Sequence, residues 1–320
     1  MKAAVYYETG APNVLRYEEV PEPVLTANQV MVQVEAISIE GGDTLNRLGG
    51  AMTATPHIVG YQCAGTIVAA GEAVTDRIVG QRVVCSMADG SHAELVAVPA
   101  TFTWPVPEGL DLTLAACVPI AFGTADDCLF EFGGLKAGET VLVQAGAGGV
   151  GIAAIQLAKR AGATVLATAS SDEKLERLKT YGLDHGINYQ TEDFADVARR
   201  MTEGRGVDLV VDSVGSTLPG SMRALAYRGR ITYVGDAGRN PQPVDVSILR
   251  GGNQSIHGVF LGAELVMGTR AHQNISRLLD LIAAQELEVV VDRTFRLAEA
   301  AAAHAYIEDR KAFGRVVLIP

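Results

Sequence analysis

Up to about residue 122 the chain alternates short apolar runs with turn residues, the pattern of strands that bury one face. Strands are expected at 30–39, 57–70, 81–85 and 92–98, with Pro56, Pro99, Pro105 and Pro107 at their borders. Glycines at 41, 42, 49, 50, 60, 65, 71, 80 and 90 suggest tight turns and close backbone approaches. Together these describe a partly open, barrel-like β domain. Near residue 123 the period changes. Apolar strands at 140–144, 164–169, 186–188, 207–212 and 230–234 alternate with helical spacing at 150–161, 172–178, 194–201 and 218–225. Such alternation implies crossover connections and a mostly parallel sheet. One more strand is expected at 256–261. Ile275, Leu278, Leu279, Leu281 and Ile282 then mark an amphipathic helix over 272–287. A strand at 289–295, an alanine-rich helix at 298–305 and a strand at 315–319 close the chain, the last completing the first domain.

The length of 320 residues suits two such domains, and 48% apolar with 20% charged residues is globular composition. A net charge of −11 with no run of Lys or Arg argues against a nucleic-acid partner. Cys63, Cys85, Cys117 and Cys128 form no CxxC pair and lie among apolar or small residues, so they read as buried free thiols in a reducing compartment. No run of 18 apolar residues and no signal-like start is present. The expectation is a soluble, cytoplasmic protein without a membrane partner.

The sharpest chemical signal is the segment 141–151, VLVQAGAGGVG. It places Gly146, Gly148 and Gly151 as GxGxxG directly after a strand and at the start of a helix, the context a dinucleotide fingerprint requires. Gly146 is expected to make the turn, Gly148 to let a pyrophosphate approach, and Gly151 to let helix pack on strand. Gly149 and Val150 open the helix, whose free N–H groups and dipole favour phosphate. The next strand ends in Ala169-Ser170-Ser171, where an NAD site usually carries a carboxylate for the ribose hydroxyls. Small hydroxyls remove that repulsion, and Lys174 one turn later can neutralise a 2′-phosphate. Asp172 is the contrary residue. The expected cofactor is NADP(H).

Metal chemistry finds no ligand set. His57, His92, His185, His257, His272 and His304 form no HxH or HExxH pattern and no cluster with cysteine. Glu40, Asp43 and Tyr61 lack the rest of a coordination shell.

Several segments resemble the medium-chain dehydrogenase/reductase superfamily, in its zinc-independent quinone oxidoreductase branch. They are 60–65 (GYQCAG), 105–109 (PVPEG), 133–139 (GGLKAGE), 144–151 (QAGAGGVG), 186–189 (GINY) and 211–215 (VDSVG). The resemblance spans essentially the whole chain. It implies an α/β protein: a GroES-like partly open β-barrel catalytic domain over 1–123 and 264–320, and a Rossmann-type parallel-sheet domain over 124–263. An active-site cleft at their junction is implied too. Zinc-dependent relatives have a cysteine ligand where this chain has Glu40 and a histidine where it has Tyr61.

Carried onto this chain, the family pattern places Thr124 beside the nicotinamide. Ser170, Lys174 and Tyr189 would face the adenosine ribose phosphate, and Ser213, Gly235, Phe260 and Gly262 would follow the cofactor towards its other end. The segment 38–47 resembles the substrate-side loop, with Glu40 in place of the common asparagine and Leu45 where quinone-reducing relatives often have tyrosine. Family members commonly pair through an edge strand, here 254–261, so a homodimer is expected.

The implied activity is NADPH-dependent reduction of a quinone or α,β-unsaturated carbonyl. Hydrogen-bond donors must then stabilise the oxygen that gains charge; Tyr61 and Thr124 are the candidates, and Glu40 and Asp43 are either acid–base groups or structural acceptors of backbone N–H groups in the turn at Gly41 and Gly42. Arg47 either anchors its loop or meets an anionic substrate. Two other readings stay open: a zinc-free alcohol or carbonyl oxidoreductase, and an NADPH-binding protein with little turnover.

Overall fold

The computed structural model describes residues 1–240 and 242–320, which divide into two compact units, Met1–Ile120 with Gly268–Pro320 and Ala121–Met267. The first unit begins with β1 (Lys2–Tyr6), β2 (Arg16–Glu19), β3 (Gln29–Ser38) and β4 (His57–Ile58). It continues with β5 (Gln62–Ala70), β6 (Arg82–Ser86), β7 (Leu95–Pro99) and β8 (Thr103–Pro105). β1 is the centre of a small antiparallel sheet between β2 and β4. The long β3 pairs antiparallel with both β5 and β7. Val30, Val32, Val34 and Ala36 alternate along it into the core. At Gly65 a Cβ would lie 1.9 Å from the Gln33 carbonyl oxygen, so only glycine lets β5 cross β3 this closely. The expected strand over 57–70 is two strands. Gly60, at φ +104°, breaks the run and turns Tyr61 out of the ladder.

The second unit is built on β9 (Thr140–Val143), β10 (Thr164–Ala169), β11 (His185–Asn188), β12 (Val207–Asp212), β13 (Leu225–Tyr233) and β14 (Ser255–Gly258). All pair in parallel, in the order β11-β10-β9-β12-β13-β14. This is the doubly wound dinucleotide-fold order, with its direction reversing between β9 and β12. The central strands are apolar on both faces because helices such as Gly149–Arg160 and Phe194–Met201 cover the sheet. The last strand ends at Gly258 rather than running to 261. Leu261–Met267 is helical, as its Leu-Gly-Ala-Glu-Leu-Val-Met run favours, so Phe260 and Gly262 lie beyond the sheet.

From Gly268 the chain is back in the first unit, with the helix Arg270–Ala283, β15 (Val291–Arg296), the helix Ala300–Glu308 and β16 (Arg315–Ile319). β16 pairs antiparallel with the end of β3, and Val316 and Leu318 join the core of Val30, Val32, Ile67 and Val83. No helix among the described residues is long and apolar enough to cross a membrane.

Candidate functional site

In the second unit, parallel pairing brings the predicted cofactor residues to one edge of the sheet, the carboxyl ends of its strands. Gly146, Gly148, Gly149, Val150 and Gly151 follow β9, Ser170 follows β10 and Tyr189 follows β11. Ser213 follows β12, Gly235 lies two residues beyond β13, and Phe260 two beyond β14. The crevice at the strand-order reversal, between β9 and β12, is where such folds take ligands.

The glycine turn divides its labour differently from the sequence expectation. The left-handed residue is Ala145, at φ +53°, a conformation costing a side-chain-bearing residue ~1 kcal/mol. Gly146 instead lets the turn press on β10, where a Cβ would meet that of Ala167 at 2.8 Å. Gly151 fits helix against turn: a Cβ there would lie 2.4 Å from the Ala145 carbonyl oxygen. Gly148 is exposed, and a Cβ on it would meet nothing closer than 3.4 Å. As N-cap of the twelve-residue helix Gly149–Arg160 it has no side chain to occupy the first N–H groups. An open, donor-rich helix end of this kind fits the pyrophosphate of a dinucleotide.

At the far end of that edge, Ser171 caps the helix Asp172–Leu178 by accepting the Lys174 N–H at 3.3 Å. Asp172 accepts from Asn188 Nδ2 at 2.8 Å, which turns it towards β11. Ser170 and Lys174 are half-buried, and Tyr189 is 37% exposed.

A buried network that sequence reasoning missed lies beneath the turn. Asp212, fully buried at the end of β12, accepts from the Val214 and Gly215 N–H groups and from the Thr217 and Ser221 hydroxyls. Ser221 in turn accepts from Gln144, and Gln144 accepts from Thr168. The one sequence signal was polar Gln144 and Thr168 closing otherwise apolar strands.

In the first unit, Glu40, Asp43, Tyr61, Gln62, Cys117 and Arg315 come together. Glu40 precedes the helix Gly41–Gly49, and its N–H donates to Asp43 Oδ2 at 2.8 Å. Its carboxylate accepts from Gln62 Nε2 and from Arg315 Nη2. Arg315 also donates to Ser38 Oγ and the Ile39 carbonyl, while Ser38 and Arg315 contact the Cys117 thiol. Burial raises the Glu40 carboxyl above its ordinary value and the Arg315 charge opposes that rise. Burial also pushes Asp43 well above the usual aspartate range, and its Oδ1 has no hydrogen-bond partner. Tyr61 is held by the Gly42 N–H, and burial with the Asp43 and Glu40 charges raises it well above the ordinary tyrosine value. Thr124, buried in the helix Pro119–Asp126, belongs to the second unit.

Arg47 is the anchor of its loop. It is fully buried, donating to the Gly10 carbonyl and Glu308 and contacting His304 Nδ1 at 3.4 Å. Among the described residues no group of three or more His, Cys, Asp or Glu could hold a metal ion. The Glu40 carboxylate takes the Arg315 guanidinium as its cation.

Two family descriptions match this architecture: an alcohol dehydrogenase GroES-like domain over residues 26–108 and a zinc-binding dehydrogenase over 149–284. The chain is 35% identical to a 2-haloacrylate reductase from Burkholderia sp., over 99% of this chain and 98% of that one. Its fold matches mycobacterial Rv1454c complexed with NADPH at TM-score 0.95 and 35% identity, over all of both chains. It also matches the Escherichia coli quinone oxidoreductase complexed with NADPH at TM-score 0.94 and 27% identity, again over all of both chains. The chain therefore belongs to the medium-chain dehydrogenase/reductase superfamily, in its zinc-independent quinone oxidoreductase branch, and is an oxidoreductase of that family.

Proposed function

We propose that the protein is an NADPH-dependent reductase of quinones or α,β-unsaturated carbonyl compounds. The observation that carries this is the open glycine turn on a helix N-terminus at the strand-order reversal, with Ser170 and Ser171 directly after β10 and Asp172 bound to Asn188. Gly148, Gly149 and Val150 would hold the pyrophosphate, and Ser170, Lys174 and Tyr189 the adenosine ribose phosphate. Ser213, Gly235, Phe260 and Gly262 would follow the cofactor towards the nicotinamide, with Thr124 beside it. When bound, NADPH supplies the hydride.

Tyr61 is proposed as the hydrogen-bond donor to the oxygen that gains charge. Its raised pKa keeps the phenol protonated at neutral pH, so it donates rather than acts as base. Glu40 is the weaker catalytic candidate, because both Arg315 and Gln62 already claim its carboxylate. Among relatives, the 2-haloacrylate reductase points to activated alkenes and the Escherichia coli protein to quinones.

The test is loss of NADPH absorbance with naphthoquinone, phenanthrenequinone, a simple enone and 2-chloroacrylate. Turnover of at least one acceptor is expected, falling sharply in Tyr61→Phe. Tight NADPH binding without oxidation across the panel would favour the binding-protein reading instead. Glu40→Gln separates its two roles: a catalytic carboxylate predicts collapse of kcat with NADPH affinity kept.

We also propose a homodimer joined at the edge strand β14. His257 and Gly258 on that strand are exposed, and Tyr227, Phe260, Val266 and Met267 expose apolar surface on the same unit. Sedimentation at low micromolar concentration should give twice the chain mass.

A further inference from the structure

We propose that Thr168 and Gln144 are positioning residues for the cofactor turn, holding its backbone in the shape that receives a pyrophosphate; this rests on the dinucleotide reading above. The turn needs such support because its left-handed residue is alanine rather than glycine. Two consecutive N–H groups of the turn are tied to Thr168: Ala145 N–H donates to its Oγ1 at 3.1 Å and Gly146 N–H to its carbonyl at 2.8 Å. The Thr168 hydroxyl proton then goes to Gln144 Oε1 at 2.8 Å. Gln144 Nε2 donates to Ser221 Oγ at 3.3 Å, and Ser221 donates to Asp212 Oδ2 at 2.8 Å.

Every proton in this series points the same way, from the turn to a buried carboxylate. The direction fixes both hydroxyl rotors and the face of the glutamine amide, and donors aligned in one sense polarise one another. The series crosses three neighbouring strands, from β10 through β9 to β12, and so spans the strand-order reversal itself. With Ala145 N–H drawn down to Thr168, the Ala145 carbonyl accepts from Gly148 N–H at 3.0 Å and lies under Gly151. That leaves Gly148 and the helix start facing outward. None of these side chains is needed to touch the ligand.

Because the pyrophosphate is common to both nicotinamide dinucleotides, a positioning defect must weaken them equally, whereas a defect at the 2′-phosphate weakens NADPH alone. Calorimetric titration of Thr168→Val with NADPH and with NADH should show both dissociation constants rising by the same factor, ~10-fold. Thr168→Ser, which keeps the hydroxyl, should return both to within ~2-fold of the wild type. In turnover the loss should be larger in cofactor KM than in kcat. Gln144→Leu, which strands the Thr168 proton, should act in the same direction and serves if the valine variant does not fold. Unchanged dissociation constants in either folded variant, a serine variant as weak as valine, or a loss confined to NADPH would overturn the proposal. A wild-type protein that bound neither dinucleotide would instead remove the cofactor reading and this inference with it.

Discussion

Arg315, the first residue of the closing strand, is buried with its guanidinium against the Glu40 carboxylate, 275 residues earlier in the chain. The pair joins β16 to the start of the helix Gly41–Gly49. A guanidinium does not lose its proton, so Glu40 is its compensating anion in a site too dry for water to take that part. Arg315→Met should therefore cost about 3–5 kcal/mol of stability by leaving a buried carboxylate uncompensated. Glu40→Gln should cost a comparable amount from the other side. The double variant should recover part of the loss, since neither charge is then stranded. Urea unfolding midpoints of the three variants check this, and strictly additive losses would deny the coupling.

Two of the three buried histidines, His92 and His304, face each other and add to the acid sensitivity of the first unit. His92 Nε2 and His304 Nε2 lie 3.1 Å apart, and His304 also touches Arg47. Burial lowers His92 to about 3; burial, then His92 and Arg47, hold His304 well below its ordinary value. Folded values below unfolded ones mean that the unfolded chain binds the protons. The contribution is complete above the unfolded histidine value and is lost as pH falls from there towards about 3. The slope is ~1.4 kcal/mol per pH unit for each histidine. Glu40 and Asp43, raised by burial, work in the opposite sense: their cost appears as pH rises above the ordinary carboxylate range. Unfolding of His92→Gln between pH 6 and pH 4 should show a shallower acid slope than the wild type.

What the sequence shows plainly is what lies close together along the chain. The GxGxxG turn sits between a strand and a helix, and alternating strands and helices announce the parallel sheet, so both could be read locally. Glu40 drew notice as an unusual residue at a known position. Its partner did not, because Arg315 is just one charged residue heading the apolar run Val316–Ile319. The Asp212–Ser221–Gln144–Thr168 series was hidden for the same reason: its members come from separate strands and a helix that only the sheet order makes neighbours. At 256–261 a different force won. The β-branched residues end with Val259, and a helix former run takes over.

All four thiols are buried and free. Burial lifts Cys117 above the ordinary thiol value and Cys128 to about 12, while Cys63 is raised chiefly by its hydrogen bond to Cys85, directly opposite it on β6. Thiolate is the reactive form, so the native protein should release almost no chromophore from Ellman's reagent at pH 8. All four should react in denaturant. Rapid reaction of even one in the native state would mean that its surroundings open readily.

Cofactor preference should turn on the end of β10. Ser170 and Ser171 put hydroxyls rather than a carboxylate directly after the strand, and Asp172, the next residue, is bound to Asn188 at 2.8 Å. Ser170→Asp places a negative charge where a 2′-phosphate would lie and an acceptor where unmodified ribose hydroxyls would lie. Two like charges ~4–6 Å apart repel by a few kcal/mol at the effective dielectric of a protein surface, enough for ~100-fold. The expected result is NADPH binding weakened by ~10–100-fold, with NADH binding held or improved, as calorimetric titration would report. Lys174→Ala should weaken NADPH more than NADH, by ~3–10-fold, through lost attraction without new repulsion. Equal loss of both dinucleotides in Ser170→Asp would mean that the substitution disturbs the turn rather than the phosphate, and would remove this end of β10 as the origin of selectivity.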